Sequence, residues 1–190
     1  MSTEVNWVSE YATQKILDKH FNWHKTNMRS MNSINRSSNY GLKFLTFHRK
    51  FIGKFDTWRK KKNLPLLVPW DPSTPIPNGL PHTPRDTNNP YSVEPRVARP
   101  SWLTTQGGFV RDSLYGYKML SQFRTAAELG NTIDYMHYAM ISGGMASWHA
   151  LVHSTIGGDM ASPATAPKDP IFWRWHKFVD NIYAEWLNLH

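Results

Sequence analysis

The feature that most restricts the fold of this chain is a pair of histidines set four residues apart within an apolar helical stripe. The pair occurs twice, as His20 with His24 and as His149 with His153. Side chains four residues apart project from the same face of an α-helix, so both imidazoles of a pair can reach one cation. The chain must therefore fold so that two helix faces accommodate paired imidazoles.

A single histidine follows each pair on a later helix. His48 lies 24 residues after His24, and His176 lies 23 residues after His153. One histidine on an apolar helix face is most often a hydrogen-bonded core residue. Two three-histidine sets of nearly the same layout instead favour metal binding. Three neutral imidazoles leave one coordination position open, and imidazole suits zinc, copper, iron and nickel.

Helical periodicity dominates the rest of the chain, with four strongly patterned segments and two weaker ones. Strong helices are predicted at 4–28, 42–62, 145–156 and from Asp169-Pro170 onward, and weaker ones at 113–128 and 132–140. In the first helix Phe21 is expected to widen the apolar stripe. Asp169 and Pro170 suit a helix N-terminus, and Gly157 a C-terminus. No strand pattern of any strength appears, so we predict a mainly α fold.

Ten of the thirteen prolines fall between Pro65 and Pro100. Such a stretch cannot be regular structure, and in a compact domain it is either a functional loop or a disordered one. The embedded Trp70, Tyr91 and Trp102 favour a loop that packs on the body. We therefore predict a single domain over residues 1–190, with an irregular loop at 65–105.

Composition removes several classes of function. The chain has no cysteine, which excludes disulfides and thiolate metal sites. Its net charge of +8 has no accompanying nucleic-acid motif, and the densest basic cluster, 59–62, suits the end of a helix. Neither a signal peptide nor a membrane span is apparent, so we expect a cytoplasmic protein that binds neither nucleic acid nor membranes.

The residues around the histidines narrow the choice of metal. Zinc peptidases place a glutamate between the paired histidines, and neither pair here contains one. Non-haem iron and di-iron sites use carboxylate ligands, whereas the inward-facing candidates here are all histidine. Copper is the metal left, and two adjacent copper ions can together supply two electrons to dioxygen.

Four segments resemble the tyrosinase family of type 3 copper proteins. They are FLTFHRKFIGKFD (44–56), PWD (69–71), WHALVHSTIGGDM (148–160) and DPIFWRWHKFVDNIYAEW (169–186). The resemblance implies a four-helix bundle around two copper ions, which bind dioxygen and oxidise an o-diphenol to an o-quinone. It also implies that His149, His153 and His176 hold the second copper.

The first copper departs from the family pattern. The usual position of its second ligand, nine residues before His48, is here Asn39. Either this copper is weak or absent, or His20 and His24 complete the set from one helix, as in arthropod hemocyanins. We favour His20 and His24, because both lie on the apolar stripe of their helix.

Other residues bear on the substrate and on helix packing. The predicted substrate pocket contains Phe172, Ala150 and Pro163, although an aromatic residue such as Phe172 is more often simply core. Ala150 stands where hydroxylating members often carry Asn, which predicts weak action on monophenols. Trp175 stands where the family often has a further histidine. Asp180 either pairs with Arg49 or is solvated.

The resemblance leaves three functions open. The first is a copper oxidoreductase, a catechol oxidase that takes phenolic substrates and dioxygen. The second is a dioxygen carrier similar to hemocyanin, with a closed pocket. The third is a non-catalytic descendant that has an incomplete first copper site.

Overall fold

The computed structural model describes residues 3–28, 39–72, 74, 76–77, 120–134, 139–141 and 144–190. Its helices are α1 (Thr3–Tyr11), α2 (Gln14–Met28), α3 (Tyr40–Lys61), α4 (Ala126–Asp134), α5 (Trp148–Ile156) and α6 (Pro170–Leu189). A two-stranded antiparallel sheet pairs β1 (Ala139–Ile141) with β2 (Gly144–Ala146), and short 3₁₀ turns lie at Leu120–Gln122, Gly158–Ala161 and Ala166–Lys168. The predicted mainly α fold is confirmed.

The core lies where α3 packs against α6, and much of it is aromatic. Phe51, Phe55 and Trp173 are each at most 3% exposed. The ring of Trp173 stacks on Phe51 at 5.3 Å between centroids and lies 4.4 Å from Phe55. Full burial of one such side chain contributes about 1.5–3 kcal/mol. This packing fixes the relative position of two helices that carry candidate metal ligands.

The predicted first helix is in fact two helices. At the end of α1, the Ala12 N–H donates to the Val8 carbonyl at 2.7 Å. At the start of α2, the Thr13 carbonyl accepts from the N–H groups of Ile16 and Leu17. Thr13 is a residue type that favours a helix N-terminus, which the apolar periodicity concealed. Phe21 is 39% exposed, so the expectation that it widens the apolar stripe is wrong.

The weaker helix predictions also need correction. Residues 120–122 form a 3₁₀ turn and α4 begins at Ala126, so the predicted helix at 113–128 is wrong over 120–125. The helix predicted at 132–140 ends at Asp134, and the one predicted from 145 begins at Trp148. Between these helices, residues 139–141 and 144–146 form β1 and β2, and strands of three residues are too short to show a period of two.

Two predicted helix boundaries are confirmed, the start of α6 at Asp169-Pro170 and the end of α5 before Gly157. The Asp169 carboxylate accepts from Ile171 N–H at 2.9 Å, and Pro170 is the first residue of α6. Gly157 follows α5 with a φ of 72°, a conformation that favours glycine. The hydroxyl of Ser147 caps α5 by accepting from Ala150 N–H at 3.1 Å. These caps set where His149 and His176 lie along their helices.

Helices α3 and α4 cross almost in backbone contact. A Cβ added to Gly41 would lie 2.0 Å from the Ala127 carbonyl oxygen, and one added to Gly130 would lie 2.1 Å from the Gly41 oxygen. Only glycine fits at such a crossing, since a Cβ at either position would collide with backbone that has no side-chain freedom. The crossing holds Asp134, at the end of α4, beside the start of α3.

The beginning of the proline-rich stretch packs on the helices. Leu67 and Trp70 are buried, Leu67 N–H donates to the Asp56 carboxylate at 3.1 Å, and Trp70 N–H donates to the Arg174 carbonyl at 3.1 Å. Tyr91 and Trp102, on which the prediction of a packed loop also rests, lie outside the described residues. Among the described helices, none combines the length with the apolar composition that a membrane span requires.

Candidate metal centre

The first predicted histidine set converges in the core. His20 and His24 come from α2 and His48 from α3, and the three side chains are at most 6% exposed. One ring nitrogen from each of the three lies within 4.8 Å of the others. The Nε2 atoms of His20 and His24 are 3.1 Å apart. The pair spaced by one helical turn and the third histidine therefore face a common point.

The second predicted set converges in the same way. His149 and His153 come from α5 and His176 from α6, with one ring nitrogen of each within 4.8 Å of the others. The Nε2 atom of His153 lies 3.1 Å from that of His149 and 3.2 Å from that of His176, and the remaining separation is 3.4 Å. Three imidazole nitrogens thus form a nearly equilateral triangle.

The size of this triangle fits a metal ion. With metal–nitrogen bonds of about 2.0–2.1 Å and trigonal or tetrahedral angles, two ligand nitrogens are about 3.3–3.6 Å apart. The separations in the second set, 3.1–3.4 Å, come close to that range. In the first set, the Nε2 of His48 is buried with no hydrogen-bond partner among the described residues. A buried acceptor of this kind is rare unless a ligand satisfies it.

Hydrogen bonds fix the tautomers of the candidate ligands. The Nδ1 atoms of His20, His48 and His153 donate to the carbonyls of Pro163, Phe44 and Met160 at 2.8–2.9 Å. Because an imidazole that donates from Nδ1 and is neutral carries its lone pair on Nε2, these bonds direct lone pairs toward the centre of each set. Facing lone pairs repel one another unless a cation lies between them. The donor set therefore fits a metal.

One of the candidate ligands donates its Nδ1 hydrogen bond to a charged group rather than to a carbonyl. His149 donates from Nδ1 to the Asp134 carboxylate at 2.6 Å, and the Tyr40 hydroxyl donates to the other oxygen of that carboxylate. Asp134 is only 8% exposed. Sequence reasoning missed this residue, because it lies 15 residues before His149 at no helical spacing.

Burial keeps five of the six candidate ligands unprotonated. Desolvation lowers the pKa of His20 to about 4, although its hydrogen bond to Pro163 opposes the change. Desolvation also lowers the pKa of His24, His48, His153 and His176 well below the ordinary value, and neighbouring imidazoles lower it further. At neutral pH their nitrogens are available as ligands.

The two sets lie side by side. The rings of His48 and His176 stack at 4.4 Å between centroids, with 6° between their planes, and those of His24 and His149 are parallel at 6.4 Å. Phe172 is completely buried against this cluster, 4.3 Å from the His176 ring and 4.9 Å from the His20 ring. Two ions held here would be neighbours.

The remaining predicted residues differ in exposure. Ala150 and Pro163 are partly exposed, as is His153, whereas Phe172 is enclosed in the core. Asn39 is exposed at the start of α3, and its side chain makes no capping bond. Trp175 is completely buried, stacked at 6.3 Å on the ring of His149, so it packs behind a candidate ligand.

An ion pair links the two long helices beside the site. Arg49 Nε donates to the Asp180 carboxylate at 2.6 Å, and its Nη2 donates to the Asp180 carbonyl at 3.2 Å. The guanidinium also lies 4.3 Å from the centre of the Tyr183 ring. Of the two alternatives for Asp180, pairing is the one observed. The pair is partly buried and is held by two hydrogen bonds. It therefore helps to fix the helix that carries His48 relative to the helix that carries His176.

These features define a helical protein with two adjacent three-histidine sets whose geometry fits metal ions. Residues 68–189 match the family model described as the common central domain of tyrosinase. The chain belongs to the tyrosinase family, as the sequence motifs predicted. The match includes His149, His153 and His176, whereas the first histidine set precedes it.

Curated relatives agree with this assignment. The chain is 27% identical over 183 residues to a tyrosinase of Streptomyces lincolnensis, covering 82% of this chain and 66% of the relative. It is 29% identical over 178 residues to a tyrosinase of Streptomyces galbus, covering 78% of this chain and 63% of the relative. It is also 26% identical over 178 residues to a hemocyanin polypeptide of Scutigera coleoptrata, covering 76% of this chain and 27% of the relative. The chain thus spans just under two thirds of the length of these tyrosinases.

Proposed function

We propose that this protein is a binuclear copper oxidase that uses dioxygen to convert o-diphenols to o-quinones. The observation that carries the proposal is the pair of three-imidazole sets, joined by the stacked rings of His48 and His176. In this proposal His20, His24 and His48 hold one copper, and His149, His153 and His176 hold the other. Family membership supports the choice of copper among the metals that imidazole suits.

The reaction needs a route for electrons and a sink for protons. Each o-diphenol loses two electrons and two protons. One dioxygen takes up four electrons and four protons, from two o-diphenols, to give two waters. Bound copper would supply the redox chemistry by passing electrons from the diphenol to dioxygen. The protein supplies the geometry, because a displaced imidazole would change the coordination.

The protein residues prepare the site before the substrate arrives. Hydrogen bonds from Nδ1 hold the imidazoles of His20, His48 and His153 in one tautomer and orientation. Phe172 fills the space beside His176 and excludes water from that side. Burial keeps the ring nitrogens of His48 and His176 free of protons, so that no proton competes there with the metal near neutral pH.

Access favours an oxidase over a dioxygen carrier. His153 is partly exposed, while the other candidate ligands are buried, and Ala150 and Pro163 are partly exposed with it. In this proposal a phenol approaches the second set along α5 and the turn at Pro163. A carrier needs only dioxygen to enter and benefits from a closed site.

Ala150 supports a preference for diphenols over monophenols. A phenol has a pKa of about 10 and is almost entirely protonated at neutral pH, so a monophenol needs help to bind as phenolate. The Ala150 side chain has no polar atom, and its N–H is already bonded to Ser147. A catechol is less demanding, since its first hydroxyl is more acidic and it can approach through two oxygens.

Copper content and catechol oxidation test the proposal together. We expect about two coppers per chain in the reconstituted protein, an absorbance change when dioxygen is added, and rapid oxidation of catechol. His153→Ala should abolish the oxidation, because two imidazoles hold an ion weakly and in altered geometry. His190→Ala, a histidine change at an exposed position, is the matched control and should leave oxidation intact.

Two outcomes would contradict the proposal. Saturation near one copper would mean an incomplete first site and a non-catalytic descendant. Two coppers with reversible dioxygen binding and no catechol turnover would instead identify a carrier.

A further inference from the structure

The buried carboxylate of Asp134 belongs to the site but is not one of the six candidate metal ligands. Its Oδ1 accepts from His149 Nδ1 at 2.6 Å, and its Oδ2 accepts from the Tyr40 hydroxyl. Both Asp134 and Tyr40 are buried, at 8% and 2% exposed. The carboxylate therefore makes two hydrogen bonds, one to a candidate ligand of the second set and one to the first residue of α3.

The fold places this carboxylate through the glycine crossing. Gly130 lies one helical turn before Asp134 on α4, and Gly41 follows Tyr40 directly on α3. Because the two backbones touch at the glycines, Tyr40 and Asp134 are brought within hydrogen-bonding distance. The arrangement is thus set by the tight contact of two helices.

The two histidine sets differ in the charge of the groups that accept hydrogen bonds from their Nδ1 atoms. In the first set, His20 and His48 donate to neutral backbone carbonyls. In the second set, His153 also donates to a carbonyl, but His149 donates to a carboxylate. A carboxylate that accepts from a ligand histidine fixes its tautomer, raises its basicity as a ligand and adds a negative charge near the cation. That charge acts strongly because the surroundings are poor in water.

We propose that Asp134, held by Tyr40, is a positioning residue that makes the second histidine set the tighter of the two metal sites. The inference rests on the proposed binuclear function. It predicts that loss of the Asp134 charge weakens the second site selectively, rather than weakening both sites through a general loss of fold.

Zinc titration of the metal-free protein against a chromophoric chelator tests this. A His20→Ala background isolates the second set, and a His153→Ala background isolates the first. Asp134→Asn keeps the shape of the side chain and removes its charge. We expect the affinity of the second set to fall by about 10- to 100-fold, while the affinity of the first set is unchanged.

Two further variants make the comparison specific. Asp18→Asn is the matched control, because Asp18 is exposed on α2 and accepts a hydrogen bond from Gln14 of the same helix. It should change neither affinity. Tyr40→Phe removes one hydrogen bond and leaves the carboxylate, so the second set should weaken by about two- to tenfold. Tyr40→Phe also keeps the proposal testable if Asp134→Asn does not fold.

Nuclear magnetic resonance of the zinc-loaded protein gives a readout that a purely structural role would not move. The Nδ1 proton of His149 should resonate far downfield in the unmutated protein and shift upfield in Asp134→Asn. Equal weakening of both sets, or unchanged affinity and an unchanged proton signal in Asp134→Asn, would overturn the proposal. Uptake of fewer than two zinc ions by the unmutated protein would instead overturn the binuclear function.

Discussion

Replacing Gly130 with alanine tests the helix crossing that underlies the site. The added Cβ would lie 2.1 Å from the Gly41 carbonyl oxygen and 2.5 Å from its carbonyl carbon, whereas ordinary contacts begin near 3.4 Å. Helices α3 and α4 must therefore separate by about 1 Å, since neither backbone atom can rotate away. The separation also pulls Asp134 from Tyr40.

The expected cost follows from two opposing effects. Overpacking a close-packed contact costs about 1–3 kcal/mol, and a backbone clash belongs at the upper end. Alanine is a better helix former than glycine by about 1 kcal/mol, which offsets part of the loss. We therefore expect Gly130→Ala to lower the free energy of unfolding by about 2 kcal/mol.

Urea denaturation of the metal-free protein measures this change. Gly53→Ala is the matched control, because a Cβ at Gly53 would have no neighbour within 4 Å. Gly53 lies on the same helix as Gly41, and its replacement by alanine should raise the free energy of unfolding by about 0.5–1 kcal/mol. If Gly130→Ala were as stable as the unmutated protein, or stabilised like Gly53→Ala, the argument for a backbone contact would be refuted.

Three other predictions concern the site. Ala150→Asn should raise monophenol oxidation more than catechol oxidation, because the amide can orient a water near the substrate; equal rates on tyrosine and catechol before mutation would contradict this. His20→Ala should lose one copper, measured by metal analysis, while Asn39→Ala keeps both; the reverse would place the ligand at Asn39. The unfolded pKa of His20 is about 6.5 and the folded one about 4, so its share of the metal-free stability should be complete above pH 6.5 and fall by about 3 kcal/mol toward pH 4, and the four other histidines with lowered pKa should add to the loss. A flat denaturation midpoint between pH 6.5 and 4 would contradict it.

The grouping of the histidines followed from the sequence because helical spacing dictates which side chains share a face. His20 and His24, one turn apart, had to project together, and the boundary at Asp169 and Pro170 fixed where the helix that carries His176 begins. The family resemblance supplied the pairing of α5 with α6. These inferences depend on local helix geometry or on the sequence motifs shared with the tyrosinase family.

Other features depend on contacts between elements, which periodicity does not encode. The break at Thr13 leaves the apolar stripe nearly continuous, so the pattern predicted one helix. Asp134 meets His149 across a segment of the chain that contains the antiparallel pair of β1 and β2. Gly41 and Gly130 are ordinary helical glycines in the sequence, and their contact appears only when α3 and α4 are packed together.

The hydrogen bond between His20 and Pro163 has a consequence for the order in which the protein is made. Synthesis delivers the first histidine set long before residue 163 leaves the ribosome, and the carbonyl that orients His20 is then missing. The stacking partner of His48, His176, arrives later still. A nascent chain therefore carries these three histidines before the contacts that orient them can form, and under the proposed function the metal is acquired only after synthesis has passed α6.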